Sequence, residues 1–379
     1  LAVALAAISA LAANGQDDAK GPDQADIDRA ICRGVEYLKQ RIGDPRAAES
    51  RRKNGGLFAT DDLLNCDALI LLTFAHAGLD TRDDAVQKIL SACIERPARM
   101  TYQMAFLAMS LQKLDPARYR SQIALCGQFF ADTQCENGQW SYPHNEYNWP
   151  LKRGDPGWAE SATTIRIRKD PKIQRVQKTG DNSNSQFAAL GIRACQLAGV
   201  SMPADTLKRA CAWWERAQNA DGGWAYRRGP EATSTGSMTC GAIGSLAILK
   251  TLLNLDISKD RCLQKGYDWL ENHFSVKENP QGRSYTGKKD ASGFYFYYLY
   301  SVERAGDLTS KARWGPCDWY CMGAKELLRI QEVDGSWKSH ETPICATCFA
   351  ILFLERATRS MGVLRDPPRE AVPQIKTGE

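Results

Sequence analysis

The densest run of chemistry-bearing side chains in this 379-residue chain is Asp181-Asn182-Ser183-Asn184-Ser185-Gln186. It offers a carboxylate, amides and hydroxyls within six positions, a set suited to binding a cation or a hydroxyl-rich ligand. Thr235, Ser237 and Thr239 form a second polar group, and Asp290 with Ser292 a third. Tyr295, Tyr297, Tyr298 and Tyr300 follow Asp290; such rings stabilise positive charge or stack on sugars, or simply fill a core. Asp181 and Asp290 are the candidate acid–base residues, and Asn182, Asn184, Gln186 and Tyr295 the candidate ligand contacts. The competing reading is helix capping, because Ser, Thr, Asn and Asp satisfy the free N–H groups of a helix start. Capping needs one such residue per helix, and the 181–186 run exceeds that need. Residues four apart share a helix face, so Asn182 and Gln186 are expected to point together while Asn184 turns aside. Two carboxylates beside helix N-termini are expected to stay ionised at neutral pH, which favours ligand binding over proton donation.

Other chemistries find less support. His76, His144, His273 and His340 share no spacing that would make a triad or a metal set. Cys317 and Cys321, with Cys345 and Cys348, have the arithmetic of a structural zinc site. Cys321 and Cys348, however, fall inside helical patterns, whereas zinc pairs favour loops, so neither a metal nor a cofactor is expected. A net charge of +5 is small for this length and gives no footprint for nucleic acid. The apolar run Leu1–Ala13 is too short to span a bilayer and resembles the core and cleavage zone of an export signal. A secreted or periplasmic protein is therefore expected, without a stable membrane span, whose partner is an unknown small molecule or protein.

A repeat positions these residues. Gln134-Cys-Glu-Asn-Gly-Gln-Trp140, Gln218-Asn-Ala-Asp-Gly-Gly-Trp224 and Gln331-Glu-Val-Asp-Gly-Ser-Trp337 share the pattern Gln-x-x-Asp/Asn-Gly-x-Trp. Each carries a large hydrophobe four residues before the Gln: Phe130, Trp214 and Leu327. The Gly supplies the positive φ that stops a helix, and the Trp beyond it can fold back over the helix end. Three copies at identical internal spacing define a repeat protein.

The helical patterns come in two alternating kinds. One is amphipathic, with Ile31, Val35 and Leu38 as the apolar stripe of its first example; the other is apolar nearly all round. Leu246, Leu299 and Leu352 recur at equal spacing along three successive helices of the second kind. Six outward and six buried helices predict an inner ring wrapped by an outer ring, an all-α (α/α)6 toroid covering residues 26–359. Residues 1–25 are expected to be an export-signal remnant with a polar leader, and 360–379 a disordered tail. The segment 141–180 reads as an insertion with a surface β-hairpin, since residues 163–168 and 173–178 alternate around Asp170-Pro171.

These Gln-x-x-Asp-Gly-x-Trp units resemble the QW repeats of squalene and oxidosqualene cyclases. The alternating helices resemble the toroid of the terpenoid cyclase/protein prenyltransferase superfamily, which complement thioester domains share. Gly180–Phe187, Thr235–Thr239, Tyr298–Gly306 and Thr347–Leu354 are most similar to prenyltransferase/squalene-oxidase-repeat proteins of planctomycetes. The resemblance implies a functional site in the lumen, at the end where the buried helices begin. It also implies chemistries whose residues this chain lacks. The cyclase Asp-x-Asp-Asp acid has Asp61-Asp62 as its nearest remnant. The zinc set of the prenyltransferases maps onto Asp290, Ser292 and Cys345, where a hydroxyl and a thiol stand for thiolate and imidazole. Cys126-Gly-Gln-Phe129 is not a thioester motif. The expected function is accordingly ligand or partner binding at the lumen mouth. The alternatives are an enzyme of terpenoid or polysaccharide chemistry using Asp181 or Asp290, and a structural scaffold.

Overall fold

The computed structural model describes residues 21–43, 63–95, 100–142, 165–167, 177–229, 231–282, 293–338 and 342–358. Among them the amphipathic helices are α1 (Gln24–Gly43), α3 (Asp84–Glu95), α5 (Arg120–Thr133), α7 (Ala204–Arg216), α9 (Arg261–His273) and α11 (Trp319–Ile330). The apolar ones are α2 (Leu63–His76), α4 (Thr101–Leu114), α6 (Asn182–Leu197), α8 (Gly236–Leu252), α10 (Tyr295–Thr309) and α12 (Pro343–Leu354). In α7, Leu207, Ala210, Cys211 and Trp214 are buried. In α8 every residue from Gly236 to Lys250 is buried, so that helix has neighbours on all sides.

The apolar helices pack in succession from α2 to α12, and α12 packs back on α2. This is the closed inner ring of an all-α toroid. Helix α1 packs against both α12 and α2, and α11 packs against α1, which closes the outer ring at the same seam. Strict alternation of inner and outer helices sends all six inner N-termini to one end, the mouth. A short antiparallel hairpin, β1 (Arg313–Trp314) with β2 (Cys317–Asp318), enters α11; no strand was expected there. The hairpin expected within 141–180 lies largely outside the described residues, as do the Leu1–Ala13 run and the 360–379 tail.

The repeated motif makes the same bonds three times. The Trp140, Trp224 and Trp337 indole N–H groups donate to the carbonyls of Phe130, Trp214 and Leu327, each at 2.9 Å. These acceptors are the hydrophobes four residues before each Gln. Gln134 Nε2 donates to Gly138 O of its own turn and to Thr206 O in the next outer helix. Gln218 does likewise with Gly222 and Cys262, and Gln331 with Gly335 and Ala30. Each Gln thus satisfies carbonyls of two neighbouring elements and fixes their spacing. The third copy ties the last repeat to α1 and so closes the ring. Gly222 has φ +90°, and a Cβ there would lie 2.6 Å from the Lys265 carbonyl oxygen, so both conformation and close approach require glycine.

Candidate functional site

At the mouth, the residues entering α6 diverge. Asp181 is the N-cap: its Oδ1 accepts the Asn184 backbone N–H at 2.8 Å and its Oδ2 the Asn184 side-chain amide at 2.9 Å. Burial pushes the Asp181 carboxyl above its usual range, opposed by the Asn184 donors, the Arg227 charge and the Tyr226 hydroxyl. Desolvation thus exceeds the pull of these donors. Asp290 lies outside the described residues.

Asn182 and Gln186 do not point together. Asn182 turns outward, where its Oδ1 accepts from Gln139 Nε2 and the Trp213 indole and its Nδ2 donates to Ala225 O. Gln186 turns inward to Tyr297 and Arg304. At four residues the helical phase has already advanced past one turn, and a first-turn side chain can reach the outer loops above the helix end. Ser183 shares the lumen with Gln186 instead. Ser185 Oγ accepts the Trp140 backbone N–H, a position held in the other two repeats by Thr239 and Thr347. Tyr295 sends its hydroxyl to Val276 O, and Thr235 caps α8. Much of the polarity entering these helices is therefore committed to caps and to the repeat.

A bridge of side chains crosses the lumen. The hydroxyls of Tyr102 on α4 and Ser183 on α6 are hydrogen-bonded, and Ser183 Oγ lies 2.5 Å from the Tyr297 hydroxyl on α10. Gln186 Nε2 donates to the same Tyr297 hydroxyl, while Gln186 Oε1 accepts from Arg304 Nη2 at 2.8 Å. The Arg304 guanidinium stands 4.1 Å from the Tyr300 ring centroid and 4.9 Å from that of Phe187. Phe349 of α12 packs on Tyr300 at 5.5 Å and Phe106 of α4 on Phe187 at 4.9 Å. A side chain lining a chamber that admits water keeps measurable exposure to it. Phe106, Phe187 and Phe349 are 0% exposed, and Arg304 only 2%. The interior at this level is filled, and the cation in its aromatic cage belongs to the chain itself.

Arg304 escaped the sequence reading. Its signal was available: it is an Arg inside a nearly apolar helix, three, four and seven residues after Ser301, Tyr300 and Tyr297, and so on one face with them. Next to it Glu303 is fully buried, with Oε1 accepting the Thr358 N–H at 2.6 Å and Oε2 without a partner. Burial, with Asp307 nearby, pushes the Glu303 carboxyl well up.

Above the bridge two aromatic residues meet solvent. Tyr142 is 38% and Tyr226 42% exposed. The Tyr142 ring stacks on Tyr102 at 6.1 Å and 21°, and the Tyr226 hydroxyl stands near enough to the Asp181 carboxyl to oppose its upward shift. Between them the buried Asn184 Oδ1 has no hydrogen-bond partner. Among the described residues no three His, Cys, Asp or Glu side chains form a group able to hold a metal. Cys345 and Cys348 are buried in α12, while Cys317 and Cys321 are only half-buried around the start of α11.

No protein-family model and no curated protein sequence matches this chain. Solved structures do. The type II terpene cyclase MstE from Scytonema, without ligand, matches with 10% identity and a TM-score of 0.50, over 88% of this chain and 99% of that one. A variant of MstE in complex with merosterolic acid A, its product, matches with 11% identity and a TM-score of 0.50, over 88% and 97%. At such identity the likeness is one of fold: this chain has an all-α, terpene cyclase-like toroid. No helix among the described residues is long and apolar enough to cross a membrane.

Proposed function

We propose that this toroid binds a hydroxyl-rich ligand at its mouth and carries out neither terpene cyclisation nor zinc-dependent prenyl transfer. The reading rests chiefly on Arg304, whose guanidinium occupies the aromatic interior that a hydrocarbon chain or carbocation would need. Binding is thereby displaced outward, to the surface formed by Tyr142 and Tyr226 over Asp181 and Asn184. Two tyrosine rings partly open to solvent at one mouth suit a sugar, whose faces stack on aromatics and whose hydroxyls exchange hydrogen bonds with the phenols.

A panel of oligosaccharides screened by calorimetry tests the reading. Tyr142→Ala and Tyr226→Ala should each weaken the best binder by about tenfold, the worth of one aromatic contact. Both rings are more than a third exposed, so the unfolding midpoint should hardly move. Absence of any oligosaccharide binding, or binding indifferent to both substitutions, would refute it.

A further inference from the structure

The seam of the ring holds a pair of thiols. Cys66 lies in the first turn of α2 and Cys345 in the first turn of α12, the first and last inner helices. Their Sγ atoms are 3.2 Å apart although the residues are separated by 279 positions. Elsewhere the seam is held by hydrogen bonds such as Gln331 Nε2 to Ala30 O at 2.8 Å and Arg33 Nη2 to Glu332 O at 2.6 Å. We infer that Cys66 and Cys345 form a disulfide that closes the inner ring covalently.

The reaction needs an external disulfide, such as oxidised glutathione or an oxidised dithiol protein. One cysteine thiolate attacks that disulfide, forming a mixed disulfide and releasing one reduced thiol. The second cysteine then attacks the mixed bond, forming Cys66–Cys345 and releasing the second thiol. Two protein thiols are oxidised and one external disulfide is reduced.

Burial sets when this happens. Cys345 is 0% and Cys66 2% exposed, so no reagent reaches them in the closed ring. The bond forms as α12 docks on α2 to complete the ring. Once the ring is closed, the same burial shields the bond from reductants. Cys348 is the nearest competitor, three residues beyond Cys345 on α12, but it is Cys345 Sγ that lies in contact with Cys66 Sγ.

The full chain, reduced and unfolded, is refolded in a glutathione redox buffer and digested with trypsin without reduction. Peptide 54–82 contains Cys66 alone, and peptide 339–356 contains Cys345 and Cys348. The two should appear joined in the wild type and in Cys348→Ser, and stay separate in Cys345→Ser. The oxidised chain should unfold at a midpoint roughly 5–10 °C above that of Cys66→Ser, as expected for cross-linking so long a loop. Absence of the joined peptide in the wild type, its loss in Cys348→Ser, or an unchanged midpoint would each overturn the assignment. The wild-type peptide map stands independently of whether any variant folds.

Discussion

Trp224→Ala should lower the unfolding free energy by about 3–5 kcal/mol, the range for truncating a buried large aromatic. The side chain is 0% exposed, and its indole N–H donates to Trp214 O at 2.9 Å. Its ring lies so close to Gly266 of α9 that a Cβ there would approach it to 2.9 Å. Truncation therefore opens a cavity where α7, α8 and α9 meet and removes the indole that bonds the end of α7. Trp140→Ala and Trp337→Ala should behave alike, since both make the same bond at the same distance. Chemical denaturation checks this; losses under about 1 kcal/mol in all three would show that the repeat does not hold the rings together.

Arg304→Ala should cost a similar amount, about 3–5 kcal/mol, because it empties a large buried site and takes a charged donor from two buried oxygens. Gln186 Oε1 and Ser301 Oγ lose the guanidinium donor, and the Tyr300 and Phe187 rings face a void. That void has the shape and lining of a cation cage. Guanidinium chloride at low millimolar concentration, far below denaturing levels, should raise the thermal midpoint of Arg304→Ala and leave the wild type unchanged. A variant as stable as the wild type and deaf to guanidinium would mean that Arg304 does not fill the lumen.

The scaffold was legible because it repeats. The Gln-x-x-Asp-Gly-x-Trp spacing and the alternation of amphipathic with fully apolar helices each report a local constraint, and the two agree on a double ring. The site was legible only as a set of residue types. Whether Asp181 caps a helix or holds a ligand depends on Trp140, Tyr226 and the end of α5, none of which sequence spacing brings to it. The lumen bridge joins Tyr102, Ser183 and Tyr297, residues 81 and 114 positions apart, so no periodicity within one helix could reveal it. The opposite directions of Asn182 and Gln186 show a second limit. A first-turn side chain is free to reach past the helix end, where the regular phase of the helix no longer decides its partners. The Cys66–Cys345 contact shows a third: it exists only because the ring closes.

Whether the interior is filled by the chain's own side chains is tested most directly by native mass spectrometry of the wild-type protein after incubation with a long-chain isoprenoid such as geranylgeraniol. A filled lumen predicts the mass of the protein alone, with no retained isoprenoid and no cyclised product in the organic extract. A stoichiometric protein–isoprenoid complex, or a cyclised product, would contradict it and return Asp181 and Asp290 to the role of lumen acids.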